Sequence, residues 1–474
     1  MRVGLLAAVF AVPALAQVYD AIVIGGGISG LSAARQLADD GKTFVVLEAR
    51  NRTGGRIYNK PVGRGLGETE VGAEFIGKTQ DKVIALSKEL GLELFDEYNE
   101  GKNIFYDGER HEFSSQTFFG SVVPPVDLLD LAGLAWIQYS LDNDASSITP
   151  GRPWEHEKAA EWDAMTFDDW LRKQNPSDVN YKVIETSMLE IFSAQMNELS
   201  YLYVVSYIAS AGNESNKGTF ERLTTVPDGG QQWRVVGGTQ LLTTGLAKKI
   251  GEDKIKLDSP VASVTKSGAK YEVTTKDNTT YEGKHVIVAM SPPMADKIKF
   301  TPALSAERQA LQKGMPMGHI GKGIPVYKEP FWRKQGLSGQ VVSTSGRTRA
   351  VFDVSDYDGK FGALLGFVQA NDMRALDKVS EDEMKKQLMV DFVNYYGEEA
   401  KNTITWVIQR WDLEEYSGGG PTAIAPPNVL SKYGKALTAA EGNIHFAGTE
   451  AADYWQGYME GGIRAGERAA KEVN

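Results

Sequence analysis

The sequence predicts an α/β protein in which a parallel-sheet domain is interleaved with a second, α+β domain of mixed sheet and helices. Three observations predict this. Residues 20–24 form a short run of mainly branched apolar side chains, broken by Gly25, Gly26 and Gly27, and a helical pattern follows at once. Strand-like stretches recur at 254–290, 320–370 and 444–447, with helical stretches between them. No low-complexity linker or long internal repeat divides the 474 residues, so the two domains are expected to be woven from several crossings of the chain.

Taken in order, residues 20–24 (Asp, Ala, Ile, Val, Ile) read as a buried parallel strand. Residues 28–40 carry Leu31, Ala34, Leu37 and Ala38 at helical spacing, and Gly41 ends that helix as a C-terminal cap. Residues 43–47 are a second buried strand with Glu48 at its end. Residues 81–95 and 126–210 read as mainly helical and rich in aromatics, and turns are marked at 227–230 and 237–238. Strands are expected at 259–265, 271–275 and 286–289, closed by Pro292 and Pro293. Further strands follow in 320–370, then a helix at 380–396, a strand at 444–447 and a last helix at 461–472.

Composition narrows the function classes. Hydrophobic residues at 42% and charged residues at 24% fit an ordinary globular protein. The net charge of −11 repels phosphate backbones, so nucleic acid is not an expected partner. With no cysteine there is no disulfide framework, zinc–thiolate site or thiol nucleophile. The histidines (His111, His156, His285, His319 and His445) lack ligand-like spacing, and no metal is expected. Residues 1–16 combine Arg2, an apolar run and a small-residue end at Ala14, Leu15 and Ala16, the pattern of a secretory signal peptide, so the protein is expected to be secreted. Asn213 and Asn278 begin glycosylation sequons compatible with that route. No later stretch has 18 uninterrupted apolar residues, and the last soluble helix runs directly to Asn474, so membrane attachment is not expected.

The first strand, glycine turn and helix carry the chemistry. Gly25-x-Gly27-x-x-Gly30 lies between strand and helix: the first glycine allows the tight turn, the second lets a pyrophosphate reach the backbone, and the third lets helix and strand pack closely. Free N–H groups at the helix start, near Ile28 and Ser29, and its partial positive charge favour phosphate. Glu48 follows Gly30 by 18 residues and is placed to accept hydrogen bonds from ribose hydroxyls. Together these make a Rossmann-like dinucleotide site, without distinguishing FAD from NAD. The segment from Ala49 and Arg50 through Gly54, Gly55 and Arg56 extends the unit, and Arg50 and Arg56 are candidates to neutralise phosphates.

That segment resembles the second fingerprint of flavin-dependent amine oxidases, and the resemblance runs over nearly the whole chain. Val71, Gly72, Ala73, Glu74 and Phe75 look like the glycine segment beside the flavin in the monoamine oxidase family. Val261 resembles the position whose backbone meets the adenine. Lys322 precedes a Tyr327-to-Trp332 segment similar to the family's, and Trp411 with Tyr416 to Gly419 resembles the flavin-flanking loop. Gly448, Thr449 and Glu450, then Gly457, Tyr458, Met459 and Glu460, look like its closing signature. The resemblance implies FAD as cofactor, a small-molecule amine and O2 as substrates, and a homodimer, as in many relatives. It implies that Lys322 sits near the flavin N5 with a water, that Tyr458 lines the amine's approach, that Trp411 takes part in catalysis from the flavin-flanking loop, and that helix N–H groups near Met459 face the charge of the reduced ring.

The pattern is also broken in places. Gly420 stands where monoamine oxidases carry the cysteine that binds flavin covalently, so FAD is expected to be non-covalent. Pro421 stands at the second tyrosine of their substrate cage, leaving it half open to a bulkier or branched amine. Glu74 replaces a neutral residue beside the flavin, either to guide a cationic substrate or to pair with an arginine. Gln231 resembles a pocket glutamine, its bland alternative being to hold a turn, and Thr224 is expected at the entrance. Tyr201, Tyr203 and Tyr207 read as core and are left out of the site.

These readings give a cofactor domain from 17–80, 225–300 and 408–474, and a substrate domain from 81–224 and 301–407. The expected reaction turns a primary amine into an imine, then a carbonyl and ammonia, as O2 becomes H2O2. The chain is similar to fungal members of the family, some acting on long-chain amino alcohols of the fumonisin type. The alternatives are a polyamine or L-amino-acid oxidase, or a flavin-fold isomerase or desaturase.

Overall fold

The structure is a computed structural model describing residues 17–114 and 125–473. The expected leader at 1–16 lies outside the described residues.

An eight-stranded sheet carries the glycine turn. Val18–Ile24 lies parallel to Phe44–Leu47 on one side and to Thr280–Ala289 on the other, and Ile444–Ala447 joins the latter, also parallel. Their registers align the carboxyl ends: Ile24 sits opposite Leu47 and Val288, and Val288 opposite Phe446. The loops that follow therefore converge, bringing Gly25, Glu48, Met290 and Gly448 to one edge, where ligands bind in open parallel sheets. These strands are buried on both faces, which explains their unbroken apolar runs.

The helix Ile28–Asp39 follows the turn. Its end is a Schellman arrangement, the Gly41 N–H donating to Ala38 O at 3.0 Å and that of Lys42 to Leu37 O at 2.9 Å, with Gly41 at φ +69°. The last helix, Met459–Lys471, packs against it. The two approach closely because Gly462 and Gly466 face Ile28 and Ser29, where a Cβ would collide.

A second, seven-stranded sheet orders its strands Thr405–Arg410, Ile320–Tyr327, Gly362–Gln369, Ala350–Asp353, Leu337–Ser343, Lys102–Tyr106 and Arg110–Ser114. Ile320–Tyr327 is buried throughout and pairs antiparallel on both sides, with Lys322 opposite Gln409 and Phe367. Helices including Leu128–Ala145, Asp178–Phe192 and Tyr201–Ser210 form an aromatic-rich cluster beside it. All ten residues of Tyr201–Ser210 are buried, as befits a helix apolar on every side.

The sequence expectations need three adjustments. Residues 81–95 are not all helix: Asp81–Glu89 ends near Gly91, and Leu94–Asp96 becomes a strand paired with Trp233–Val235, a partner far away in sequence. The strand expected at 259–265 runs Val261–Ser267. The last helix starts at Met459, two residues early, with Tyr458 as its N-cap.

Candidate active site

One continuous cavity runs from the glycine turn to an aromatic chamber between the two sheets. At its first end the N–H groups of Ile28, Ser29 and Gly30 have no capping side chain, since Gly27 is the N-cap. A Cβ built on Gly27 would meet nothing closer than 3.8 Å, so the space beside this backbone is open, as a pyrophosphate requires. Gly25 adopts φ +107°, and a Cβ there would lie 2.6 Å from Ala289 O. A Cβ on Gly30 would collide with Gly25 O, which confirms its packing role and explains why Gly30 itself does not line the cavity.

Glu48 has a double duty. One oxygen accepts from Gly26 N–H at 2.7 Å and the other from Arg50 N–H at 2.9 Å, so its carboxylate fastens the glycine turn as well as facing the cavity. Ala49 and Val261 line the same end. Arg50 donates to Ser417 Oγ at 2.9 Å. Arg56 is spoken for: it donates to Pro421 O at 2.9 Å and to Glu450 at 2.7 Å. Glu450 does not reach the cavity; it lies behind Arg56 and also accepts from Ala423 N–H at 3.2 Å. Its position in the sequence signature therefore reports a buried ion pair with Arg56, while Arg50, also 3.4 Å from Glu414, lines the cavity beside Glu48.

The other end is built on Lys322. Its Nζ donates to Gly72 O at 2.8 Å and Glu74 Oε2 at 2.9 Å, and makes a longer contact of 3.3 Å with Glu70 O. Arg234 continues the network, 2.8 Å from Glu70 and 3.1 Å from Glu74, with Glu97 at 3.9 Å. Glu74 is salt-bridged to an arginine, Arg234, as one of its two readings expected, and to Lys322 as well, and it lines the cavity. Three carboxylates share two cations here. Burial pushes Glu70 up to about 7 and Glu97 well above the usual carboxylate range, with Arg234 opposing and the neighbouring acids reinforcing the rise.

This has a measurable consequence for Glu97. A carboxyl whose folded pKa is raised takes up a proton on folding, so its contribution to stability falls as pH rises from about 4.5 towards the folded value, by up to ~1.4 kcal/mol per unit. The groups around it are Arg234, Glu70, Glu74 and Asp353. Glu97→Gln mimics the protonated state, so its Tm advantage over the parent should widen between pH 5.5 and 8.5. A gap that narrows with rising pH would contradict the assignment.

Gly72, Ala73, Phe75 and Trp411 line the cavity beside Lys322, and the Trp411 Nε1–H donates to Val71 O at 2.8 Å, holding that segment in place. Tyr458 and Met459 close the chamber where the last helix begins, again without a side-chain cap, and Gly448 sits at its edge. The Tyr458 ring stands edge-on to Trp455 at 4.8 Å, and burial raises its phenol pKa, keeping it neutral. Pro421 and Gly420 form the opposite wall. Gln231 lines the cavity, and its Nε2 donates to Leu223 O at 3.1 Å, while its buried Oε1 has no partner among the described residues.

Thr224 does not line the cavity. It ends the short helix Phe220–Thr224, its hydroxyl turned back to Glu221 O at 3.2 Å, and Leu223 takes the lining position. Tyr207 is the opposite case: read as core, it lines the chamber 6.2 Å from the Tyr458 ring. Tyr201 and Tyr203 are core. Glu190, Ile191, Ile320, Phe352 and Phe367 also line the chamber and carried no sequence signal. Among the described residues no group of three or more His, Asp or Glu is arranged to hold a metal, and no helix is long and apolar enough to cross a membrane.

A nucleotide cradle leading into an aromatic-lined chamber with a buried lysine defines the class, and the comparisons agree. The family profile described as "Flavin containing amine oxidoreductase" matches residues 28–474, and the chain belongs to that family. It is an FAD-dependent oxidoreductase acting on CH–NH2 donors. FAD is bound non-covalently, with Gly420 in place of a linking cysteine and no cysteine elsewhere.

Among relatives, the chain is 31% identical over 97% of its length to the probable flavin-containing monoamine oxidase A of Dictyostelium discoideum, covering 98% of it. It is 33% identical over 96% of its length to bovine amine oxidase [flavin-containing] B, covering 86% of that protein. Among solved structures, putrescine oxidase bound to putrescine superposes with a TM-score of 0.90 at 27% identity, covering 96% of this chain and 99% of that one. Cyclohexylamine oxidase from Brevibacterium oxydans IH-35A gives 0.87 at 29%, with the same coverage.

Proposed function

We propose that the enzyme oxidises a bulky or branched primary amine, R–CH(R′)–NH2, to the imine, which water converts to a carbonyl and ammonia, while O2 is reduced to H2O2. FAD, when bound, accepts the two electrons and passes them to oxygen. The observation that carries the reading is the single cavity joining the nucleotide cradle to a chamber of Tyr207, Tyr458, Phe352 and Phe367, with Pro421 where a second cage aromatic is expected. Tyr458 and Tyr207 press on the amine from one side. Burial there disfavours the ammonium and leaves the lone pair free. Lys322 holds a fixed positive charge beside the reacting atoms, and Trp411 positions the segment opposite it.

An L-amino-acid oxidase needs an arginine to grip a carboxylate. Of the described lining residues only Arg50 and Arg56 are arginines; one sits by Glu48 and Ser417 and the other is bound to Glu450. Peroxide release with tyramine, spermidine, leucine and branched alkylamines separates the readings. Fastest turnover of a branched primary amine is expected, and preference for leucine would overturn the proposal.

The cofactor is expected to be held by the segments around the eight-stranded sheet and the amine by those around the seven-stranded one. Residues 1–16 support export, and mature protein beginning at Gln17 would establish it. A homodimer is also proposed, from the resemblance, and is checked by light scattering.

A further inference from the structure

Glu190 lies near the end of the helix Asp178–Phe192, in the wall of the aromatic chamber. The same cavity is lined by Ile191, Tyr207, Leu223 and Phe367, all apolar or aromatic. Protein surrounds it, yet it keeps accessible surface, because that surface opens on the cavity. Unlike the other acids of the site, it has neither a hydrogen bond nor an ion pair with any described residue. Glu74 is held by Lys322 and Arg234, Glu48 by two backbone N–H groups, and Glu415 by Lys276. Burial alone pushes Glu190 up to about 7, with no cation opposing the rise. Its charge is felt at Tyr458, which places it on the same chamber as the reacting amine.

A carboxylate buried without a partner is costly and does nothing for packing that a leucine would not do better. Such a group is consistent with a partner that arrives with the ligand. Resting on the functional reading above, we propose that Glu190 is a specificity residue that binds a second N–H or O–H donor, an ammonium or a hydroxyl, on the carbon chain of the amine substrate. The reacting nitrogen sits at Tyr458 and Lys322, and Glu190 receives the distal donor across the chamber. Simple alkylamines leave the carboxylate unpaired and bind less well. Substrates with a second donor gain a charge-assisted hydrogen bond in a water-poor site.

The test compares pentylamine, 5-amino-1-pentanol and 1,5-diaminopentane on the FAD-loaded enzyme and on Glu190→Gln and Glu190→Leu, measuring kcat/KM and anaerobic flavin reduction. In the parent, at least one donor-bearing substrate should exceed pentylamine about tenfold in kcat/KM, the effect of one charge-assisted hydrogen bond. The better of the two tells whether the donor is a hydroxyl or an ammonium. Glu190→Leu should abolish that preference, bringing the kcat/KM ratio of the donor-bearing substrate to pentylamine down to about one, and Glu190→Gln should fall between. The proposal is overturned if the parent shows no preference, or if both variants lose activity equally on all three. Failure of every amine to reduce the flavin would instead overturn the functional reading.

Discussion

Replacing Lys322 by methionine should slow reoxidation of the reduced cofactor by oxygen on the order of a hundredfold, the usual cost of removing one preorganised charge from a reacting centre. Reduction of oxygen builds negative charge, and Lys322 is a cation fixed on the chamber, its ammonium held by Gly72 O and Glu74. The substitution also takes a partner from Glu74. Arg234 remains beside that carboxylate, but breaking one side of a buried ion pair typically costs ~3–5 kcal/mol. Lost activity could then be mistaken for lost folding. The double variant Lys322→Met/Glu74→Gln separates the two, because it removes the stranded charge. It should recover thermal stability and FAD content yet reoxidise as slowly as the single variant. Unchanged rates in both half-reactions would show that Lys322 has no part in either.

Gly30→Ala should abolish FAD binding and most of the soluble protein. The added Cβ would collide with Gly25 O and lie 3.1 Å from Gly25 C and 3.2 Å from Val23 Cγ1. Two of these are backbone atoms of the turn itself, so relief requires moving the helix off the strand and opening the cradle. Gly41→Asn is the control: nothing lies within 4 Å of a Cβ at Gly41, and asparagine tolerates its φ of +69°. That variant should keep its flavin with a loss of order 1 kcal/mol or less. A Gly30→Ala protein that purifies with full FAD would mean that the close helix–strand contact is not required.

What could be read from the sequence follows how local each feature is. The cradle was legible because strand, glycine turn, helix and Glu48 lie within about thirty residues, and the spacing itself encodes the geometry. Lys322 was legible only through its resemblance to a family segment, since a lone lysine in a strand carries no local signal. Of the network around it only an arginine partner for Glu74 was anticipated, because Glu70, Glu97, Arg234 and Lys322 come from four separate parts of the chain. Tyr207 is core, as read, but also a chamber wall, which went unread for a different reason. On a helix buried on every side, sequence does not say which aromatic faces protein and which faces a cavity. Thr224 and Leu223 differ by one position, and near a helix end that is enough to turn a side chain from the chamber to its own backbone. Glu450 belonged to a real signature, but its carboxylate supports Arg56 and does not touch the site.

Whether this cavity holds FAD where an amine can reduce it is decided by anaerobic mixing of the purified holoenzyme with a panel of primary amines. The oxidised-flavin absorbance should be lost with at least one amine, at a rate no slower than turnover, and return with peroxide release when oxygen is admitted. Flavin that stays oxidised with every amine in the panel would contradict that expectation.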